Sequence, residues 1–343
     1  MTYTVKSSER LRHPAAEMET KALLHLMNFR SDSHEIYYFV VDFFNDLTGM
    51  DNQARRLWDL QSKGAKNSSP KAIGKELVTL FKNYRSDLDF GFYVLFLGGV
   101  SNTVRIDNST NIFDISNIKP ASLIKLKEGL IEECQEKTYI DSASITKQVI
   151  DSFLNKVQFV IDDKKPSDYV RSIVKINRSI IPNEETLTAI FNEIRNEQAG
   201  KKNIRPLEDI TIEGCDEALD YYHHLTSGEI KLLVLSRILN RNPFDKGIPP
   251  SFIPIFNHFP EEKRKNALDD CQIALTRVLF NKNCADSFWE LFENVYLTIV
   301  SNPTIDVNKI YRKLNQRAID DCPDFDVISL KYFISIVKDG IDL

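Results

Sequence analysis

The stretch that decides the fold reads Glu35-Ile-Tyr-Tyr-Phe-Val-Val-Asp-Phe-Phe-Asn-Asp46 and, after a short loop, Arg55-Arg-Leu-Trp-Asp-Leu-Gln-Ser-Lys63. Both segments have the apolar, aromatic and β-branched composition of strands. Side chains alternate between the two faces of a strand, so Asp59, Gln61 and Lys63 are predicted to share one face. Asp46 ends the first strand, and the loop at 47–54 lays the strands side by side. The sequence therefore predicts that a carboxylate, an amide and an ammonium group converge at one edge of a sheet.

Metal-dependent hydrolysis of phosphodiesters requires this combination of groups. Mg²⁺ prefers hard oxygen ligands, and a lysine near the attacking water or the scissile phosphate stabilises developing charge. The alternative interpretation is structural, because an Asp at a strand end and a polar half-strand also occur in an ordinary turn and a solvated sheet face. The two-residue spacing of Gln61 and Lys63, followed by a helix and a further strand, favours the catalytic interpretation.

The composition is that of a soluble globular protein with one large domain or two ordinary ones. The chain has 343 residues, of which 42% are hydrophobic and 27% charged, values within the usual range. Its longest apolar stretch, at 90–99, is about half the ~20 residues that span a bilayer, and the N-terminal segment lacks the pattern of a secretory signal. We therefore expect a cytoplasmic protein. The net charge of −5 counts against constitutive tight DNA binding but allows a local basic groove.

The motifs of several common enzyme classes are missing from the sequence. The pair Gly74-Lys75 lacks the other residues of a phosphate-binding loop, and the chain has no G-x-G-x-x-G, G-x-S-x-G or H-E-x-x-H. The five cysteines are an odd number without a C-x-x-C pair, which favours reduced thiols over a zinc site or a disulfide framework. We interpret His223-His224 as a surface pair at a helix end and the acidic cluster at 320–326 as a solvated turn.

Hydrophobic periodicity predicts an α/β fold. Helices are expected at 14–28, 71–84 and 120–135, around a buried strand at 89–97 and a further strand at 157–162. On the first helix, Glu19 falls inside the apolar arc and Glu17 at its flank. Beyond Asp163 the pattern is helix after helix, beginning with 166–179. We thus predict a first domain at 1–205, with a mixed sheet core at 14–163 flanked by helices and a helical extension at 164–205. An all-helical region for partner binding or oligomerisation is predicted at 206–343.

This order of elements resembles the restriction-endonuclease-like PD-(D/E)xK fold. Phe44-Asn-Asp-Leu-Thr-Gly49 and Trp58-Asp-Leu-Gln-Ser-Lys-Gly64 are most similar to the double-stranded-DNA endonuclease domain of bacterial anti-phage effectors. That domain occurs in CBASS systems, which signal through cyclic oligonucleotides, and in Lamassu systems, which are associated with SMC-type ATPases. The segments 153–163 and 191–199 also resemble it. The resemblance covers roughly the first 200 residues.

The resemblance implies roles for individual residues. Asp46 matches the metal-binding aspartate, Gln61 the second ligand position, and Lys63 the catalytic lysine. Glu17 or Glu19 matches a first-helix residue that often completes such sites, and the implied cofactor is Mg²⁺, with Mn²⁺ as a substitute. Gln61 occupies the position where the wider superfamily has an acid, and its neutral amide contributes no negative charge to metal binding. The negative charge must then come from Asp46, Asp59 or a first-helix glutamate.

The resemblance also implies partners. Double-stranded DNA is the expected substrate, with backbone contacts from Lys66, Lys71, Lys75 and Lys82, although each of these lysines also fits an ordinary charged helix face. SMC-type ATPases or other defence-system subunits are expected to hold the effector, which is expected to self-associate when active. The alternative is an inactive nuclease-fold adaptor that binds DNA or partners. A third interpretation makes the helical half a protein-interaction module and the first half only structural.

Overall fold

A computed structural model provides the structure of the chain. Cys284 and positions 175–179 of the helix predicted from Pro166 lie outside the residues that the structure describes. The described residues are 2–5, 13–141, 143, 145–174, 182–204, 207, 209–240, 242–244, 247–281 and 285–341.

The fold is mixed α/β, as predicted. The strands are β1 (Tyr3–Thr4), β2 (Tyr38–Val41), β3 (Leu47–Met50), β4 (Leu57–Lys63), β5 (Phe90–Leu97), β6 (Ile112–Phe113), β7 (Val157–Ile161), β8 (Thr211–Ile212) and β9 (His224–Thr226). Seven of them form one sheet in the order β6-β7-β5-β4-β3-β2-β9, while β1 and β8 pair separately. The neighbours β4, β5 and β7 run parallel, and the remaining pairs are antiparallel.

Helices flank the sheet and fill most of the second half of the chain. They are α1 (His13–Asn28), α2 (Pro70–Glu76), α3 (Val78–Tyr84), α4 (Pro120–Glu136), α5 (Lys147–Leu154), α6 (Pro166–Ile173), α7 (Glu184–Lys202), α8 (Ser227–Ile238), α9 (Ile253–Phe256), α10 (Glu261–Phe280), α11 (Ala285–Ser301), α12 (Val307–Lys313), α13 (Gln316–Asp320) and α14 (Val327–Gly340). The predicted helices at 14–28 and 120–135 and the strands at 89–97 and 157–162 are confirmed to within a few residues.

The first predicted strand is shorter than expected, and the loop after it is partly a strand. β2 ends at Val41 because Asp42 has a left-handed φ of 55°, a conformation that Asp tolerates better than most residues. The chain turns over 42–46, with the Asp42 amide donating to the Asp46 carbonyl at 3.2 Å. Leu47 then pairs with Val41, and β3 lies between β2 and β4 in place of the predicted loop.

The helix predicted at 71–84 is two helices. Ser69 caps α2 by accepting a hydrogen bond from the Ala72 amide, and Pro70 occupies the first turn, where its missing N–H is tolerated. α2 closes with a tighter bond, from the Leu77 amide to the Gly74 carbonyl at 3.2 Å, which is typical of a 3₁₀ end. The chain restarts as α3, which packs on β4 and β5.

The prediction of helices alone after residue 206 is wrong for two short segments. Residues 211–212 and 224–226 are strands, and β9 extends the main sheet by pairing with β2. Between these strands lies a 3₁₀ helix at Asp216–Tyr221, which ends where Tyr222 has a left-handed φ of 60°. His223 is consequently buried beside the sheet and not a surface residue.

The chain divides into two compact units. The first contains 1–169 and 191–227, and the second contains 170–190 and 228–343. The first unit extends to residue 227 and leaves out 170–190, whereas the predicted first domain runs from 1 to 205. The predicted domain boundary remains a prediction. In the second unit α14 packs against α10, α11 and α12. Buried apolar residues around much of α14 explain this central position.

In the first unit, α2 and α4 approach each other closely because each contributes a glycine. A Cβ at Gly74 would collide with the backbone of Leu126, and one at Gly129 would collide with the Lys71 carbonyl. These contacts fix α2, and thereby the loop after β4, against the rest of the unit.

We expect Gly74→Ala to lower the free energy of unfolding by about 2 kcal/mol, because overpacking at a rigid backbone contact forces the helices apart. Gly200→Ala in α7 is the matched control, since nothing lies within 4 Å of its added Cβ and alanine favours a helix. Urea unfolding of both variants measures the effect. Equal stability of Gly74→Ala and the wild type would show that the contact is not tight.

Candidate active site

Asp46 lies in the plane of the sheet, beside the end of β4. β3 begins at Leu47, opposite Leu60, so β4 continues beyond its neighbour on this side. At this end of β4, where β3 no longer pairs with it, Asp46 takes over as hydrogen-bond acceptor. Its Oδ2 accepts from the Ser62 amide at 2.9 Å, the Ser62 hydroxyl at 3.0 Å and the Gln61 Nε2 at 2.9 Å. Alternation places Ser62 on the face opposite to Gln61 and Lys63, yet its hydroxyl also reaches this carboxylate.

Gln61 connects Asp46 to α3. Its Nε2 donates to Asp46, and its Oε1 accepts from the Thr79 hydroxyl at 2.7 Å. The Gln61 side chain is 3% exposed, and each of its two polar atoms has a hydrogen-bond partner within the protein. The assignment of oxygen and nitrogen follows from this hydrogen-bond pattern.

Lys63 follows on the same face of β4, as alternation predicts. Its Nζ lies 3.3 Å from Glu76 Oε2 on α2, and both side chains are about one third exposed. The charge of Lys63 acts on Asp46 and lowers the pKa of that carboxyl, against the larger effect of burial, which raises it. Asp46, Gln61 and Lys63 thus lie together, as the sequence predicts.

The first helix contributes Glu19 and not Glu17. Glu19 is buried, and its Oε1 lies 3.5 Å from the Nζ of Lys202 at the end of α7, which is also 3.5 Å from Asp42 Oδ1. Burial, together with Asp46 and Asp42, raises the pKa of Glu19 to about 7 against the opposing effect of Lys202. Glu17 is exposed and pairs with Lys21 at 3.3 Å, away from this cluster.

Lys202 remains charged within this group of carboxylates. Burial lowers the pKa of its ammonium, but Asp42, Glu19 and Asp46 outweigh that effect and raise the pKa above its usual value. We call the four residues Glu19, Asp42, Asp46 and Lys202 the rear cluster. Its lysine is an internal cation whose charge also lowers the pKa of the proposed metal ligand Asp46, against the larger effect of burial.

Asp59 belongs to a buried structural network and not to the metal-binding edge. Its Oδ2 accepts from Asn83 Nδ2 at 2.7 Å, and Asn83 also bonds to the Phe44 carbonyl and to the Tyr3 hydroxyl. Asp59 is 0% exposed, and burial raises its pKa to about 7. The network ties β1, the turn after β2 and α3 together beneath the site.

We expect Asp59→Asn to stabilise the protein more at pH 7.5 than at pH 5.5. Because the folded pKa is about 7 and the unfolded pKa about 4, the folded state binds more protons between these values and stability falls as the pH rises. Asparagine does not titrate, so the variant does not lose stability in this way. The difference in the free energy of unfolding between the variant and the wild type, measured with urea, should grow by about 2 kcal/mol between the two pH values. DNA cleavage, if present, should persist in this variant. Its loss at unchanged stability would make Asp59 a ligand.

The lysines expected to contact DNA differ in their surroundings. Lys66 is exposed in the loop after β4. Lys71 and Lys75 point along α2 toward α4, where they pair with Glu132 at 2.7 Å and Glu133 at 3.6 Å. Lys82 is partly buried over the Tyr3 ring, and burial lowers its pKa to about 8.

A cavity of about 470 Å³ opens beside the predicted site. Asp46, Gln61 and Lys63 line it together with Lys75 and Lys82. Asp42, Glu76 and Glu133 also line it, so its walls carry both ammonium groups and carboxylates. The volume suits one nucleotide and not a duplex, so DNA would lie across the opening with one phosphate directed inward.

The donor set around Asp46 fits Mg²⁺ held with few protein ligands. In the described part of the chain, no three His, Cys, Asp or Glu side chains already form a cage for a metal ion. The hydrogen bonds that Gln61 and Ser62 donate to Asp46 all end on Oδ2. Oδ1 is therefore the oxygen suited to coordination. Mg²⁺ is commonly bound through one or two carboxylates and keeps several waters, which matches Asp46, the Gln61 carbonyl oxygen and water.

Sequence reasoning did not include Asp42 and Lys202 among the site residues. If the segment is treated as one continuous strand, alternation places Asp42 on the same face as Asp46. This alternation was the signal that could have identified Asp42. Lys202 lies in the polar segment 197–203, which composition marks as a break between helices, whereas α7 continues through it to Lys202. The good helix formers Glu197, Gln198 and Ala199 at the start of this segment were the signal that the helix continues.

Among the described residues, no helix is both long and apolar enough to cross a bilayer. Comparison of the chain with models of protein families, with curated proteins and with solved structures finds no match.

Proposed function

We propose that the protein is a Mg²⁺-dependent endonuclease that cleaves double-stranded DNA. One observation carries this proposal: Asp46, Gln61 and Lys63, which come from two neighbouring parts of the sheet, lie together on the wall of one cavity. The role as an effector of anti-phage defence, and the SMC-type ATPase or other subunits as partners, rest on the resemblance of the sequence alone.

The metal would be held by Asp46 Oδ1 and by the side-chain carbonyl of Gln61. A bound Mg²⁺ supplies a Lewis acid for the phosphate and a lowered pKa for the attacking water. Asp46 provides the negative charge for binding, and its Oδ2 keeps the hydrogen bonds to Ser62 that fix the carboxylate. The Ser62 amide and hydroxyl therefore act as positioning groups.

Gln61 must present its oxygen in order to act as a ligand, and Thr79 permits this. Rotation of the Gln61 amide by half a turn exchanges Oε1 and Nε2. The Thr79 hydroxyl, which now donates to Oε1 at 2.7 Å, can accept from Nε2 after the exchange, because a hydroxyl is both donor and acceptor. The ligand oxygen thus becomes available without loss of the hydrogen bond to α3.

Lys63 is suited to orient the attacking water and to neutralise charge on the phosphate. Lys63 directly follows Ser62 and lines the cavity. Its Nζ lies 3.3 Å from Oε2 of Glu76, which lines the same cavity. Lys75 and Lys82 lie on the same wall and would hold phosphate without reading the base sequence. The site therefore supports backbone-directed cleavage.

Incubation of the protein with supercoiled plasmid and Mg²⁺ tests the proposal. We expect nicked and linear plasmid in the presence of Mg²⁺, and intact plasmid when EDTA is added in excess. Single-stranded DNA and RNA in parallel reactions define the substrate. No cleavage of any substrate at high protein concentration and with Mn²⁺ would contradict the proposal.

The hydrogen bond from Gln61 to Asp46 favours a second candidate, a nuclease-fold adaptor without catalysis. In the arrangement described, an amide N–H and not an oxygen faces the carboxylate, and Lys71 and Lys75 are paired with acids. An adaptor would bind duplex DNA in a mobility-shift assay with equal affinity in Mg²⁺ and EDTA. It would leave the plasmid intact.

A further inference from the structure

The rear cluster holds an ammonium group where a metal-dependent site can hold a cation. The Lys202 side chain is 6% exposed, and its Nζ is 3.5 Å from both Glu19 Oε1 and Asp42 Oδ1. Its charge also acts on Asp46, the proposed metal ligand. Burial of a lysine is unfavourable unless opposite charges surround it, and here two carboxylates face it.

The helix pair α1 and α7 fixes the position of Lys202. The Thr20 hydroxyl donates to Gln198 Oε1 at 2.8 Å, and both side chains are almost fully buried. Gln198 precedes Lys202 by four residues, so these two side chains are neighbours on one face of α7, and Thr20 directly follows Glu19 in α1. The ammonium is therefore part of the packed structure and not a surface group that folds over the site.

The surroundings of Glu19 and Asp42 disfavour a second divalent cation. Both carboxylates face the Lys202 ammonium at 3.5 Å, so a second ion would have to share them with a buried positive charge.

We propose that Lys202 takes the place of a second metal ion, so that the site binds one divalent cation per chain. This inference rests on the proposed nuclease function and specifies its metal requirement. In two-metal nucleases the ions lie about 3.5–4 Å apart and share carboxylates. Here Asp42 and Asp46 both line the cavity, and the Lys202 ammonium lies 3.5 Å from Asp42, so this fixed ammonium supplies the second positive charge.

Replacement of Lys202 by an uncharged residue should open the second position. In Lys202→Met, Glu19 and Asp42 lose the ammonium that now lies 3.5 Å from each of them. The repulsion between the two carboxylates is then no longer offset by that ammonium, which favours the binding of another cation. Metal–oxygen distances of about 2.1 Å are shorter than the present contacts, so both carboxylates must shift when an ion binds.

Calorimetric titration of the full chain with Mn²⁺ tests the proposal. We expect one Mn²⁺ per chain for the wild type, two for Lys202→Met and one for Lys202→Arg, which keeps the charge. Lys201→Met, at the neighbouring position of α7, is the control and should bind one. The thermal unfolding of each variant is measured alongside, and Lys202→Arg keeps the test valid if Lys202→Met does not fold.

Two Mn²⁺ in the wild type, one in folded Lys202→Met, or two in Lys202→Arg would overturn the inference. These outcomes are distinct from failure of the proposed function. A wild type that cleaves plasmid with two bound Mn²⁺ refutes only the role of Lys202. A wild type that binds no Mn²⁺ and cleaves nothing refutes the nuclease proposal itself.

Discussion

Asp46→Asn is expected to reduce plasmid cleavage about 1,000-fold, because the loss of an ionic ligand removes several kcal/mol of transition-state stabilisation. Asparagine keeps the shape of the side chain. Its single oxygen can continue to accept the three hydrogen bonds that now end on Oδ2, while an NH₂ group replaces the coordinating Oδ1. The substitution therefore separates metal binding from the structural role of this residue.

The stability of Asp46→Asn should equal or exceed that of the wild type. Burial raises the pKa of Asp46, so a neutral side chain removes an unfavourable desolvation energy. Asp51→Asn is the matched control. Asp51 accepts hydrogen bonds from the amides of Arg55 and Arg56 in the turn between β3 and β4, and this variant should cleave at nearly the wild-type rate.

Calorimetry with Mn²⁺ completes the test of Asp46. The variant should lose detectable binding, whereas Asp51→Asn should bind as the wild type does. Wild-type cleavage by Asp46→Asn would rule out Asp46 as the metal ligand. Loss of both cleavage and folding would indicate that the fold itself needs the charge of Asp46, because asparagine keeps the three hydrogen bonds.

The parts of the fold that sequence reasoning predicted are those with strong local patterns. β5 is long and apolar, β4 is long and its first half is apolar and aromatic, and α1 and α4 have a regular hydrophobic period, so local preference and burial agree. β3 was missed because its four residues include Thr48 and Gly49 and resemble a loop. They are a strand only because β2 and β4 pair with them on both sides.

The predicted site shows the same limit. Asp46, Gln61 and Lys63 lie close in sequence, so strand alternation suffices to bring them together. Lys202 reaches Asp42 only through the packing of α7 against α1, which involves Thr20 and Gln198. Contacts between positions so distant in the chain depend on tertiary structure that no local pattern contains, and the choice between Glu17 and Glu19 was open for the same reason.

Lys63→Met is expected to reduce plasmid cleavage about 100-fold, with little change in stability. A positioned charged group near the reacting atoms typically contributes 10²–10⁴-fold to a rate. The ion pair with Glu76 is about one third exposed at each side chain, and pairs of this kind contribute little to folding. Methionine keeps the length of the side chain along the cavity wall and removes only the charge.

Glu76→Gln distinguishes a catalytic lysine from a structural one. If Lys63 served only to pair with Glu76, the two variants would lose the same interaction and behave alike. If Lys63 acts on water or phosphate, Glu76→Gln should keep cleavage within about threefold of the wild type, since a surface pair of this kind is worth at most ~1 kcal/mol. Rates of plasmid linearisation at saturating Mg²⁺ make the comparison. Because Asp46 and Gln61 remain intact in both variants, Mn²⁺ binding should persist, so equal loss of cleavage in the two variants would assign Lys63 to structure.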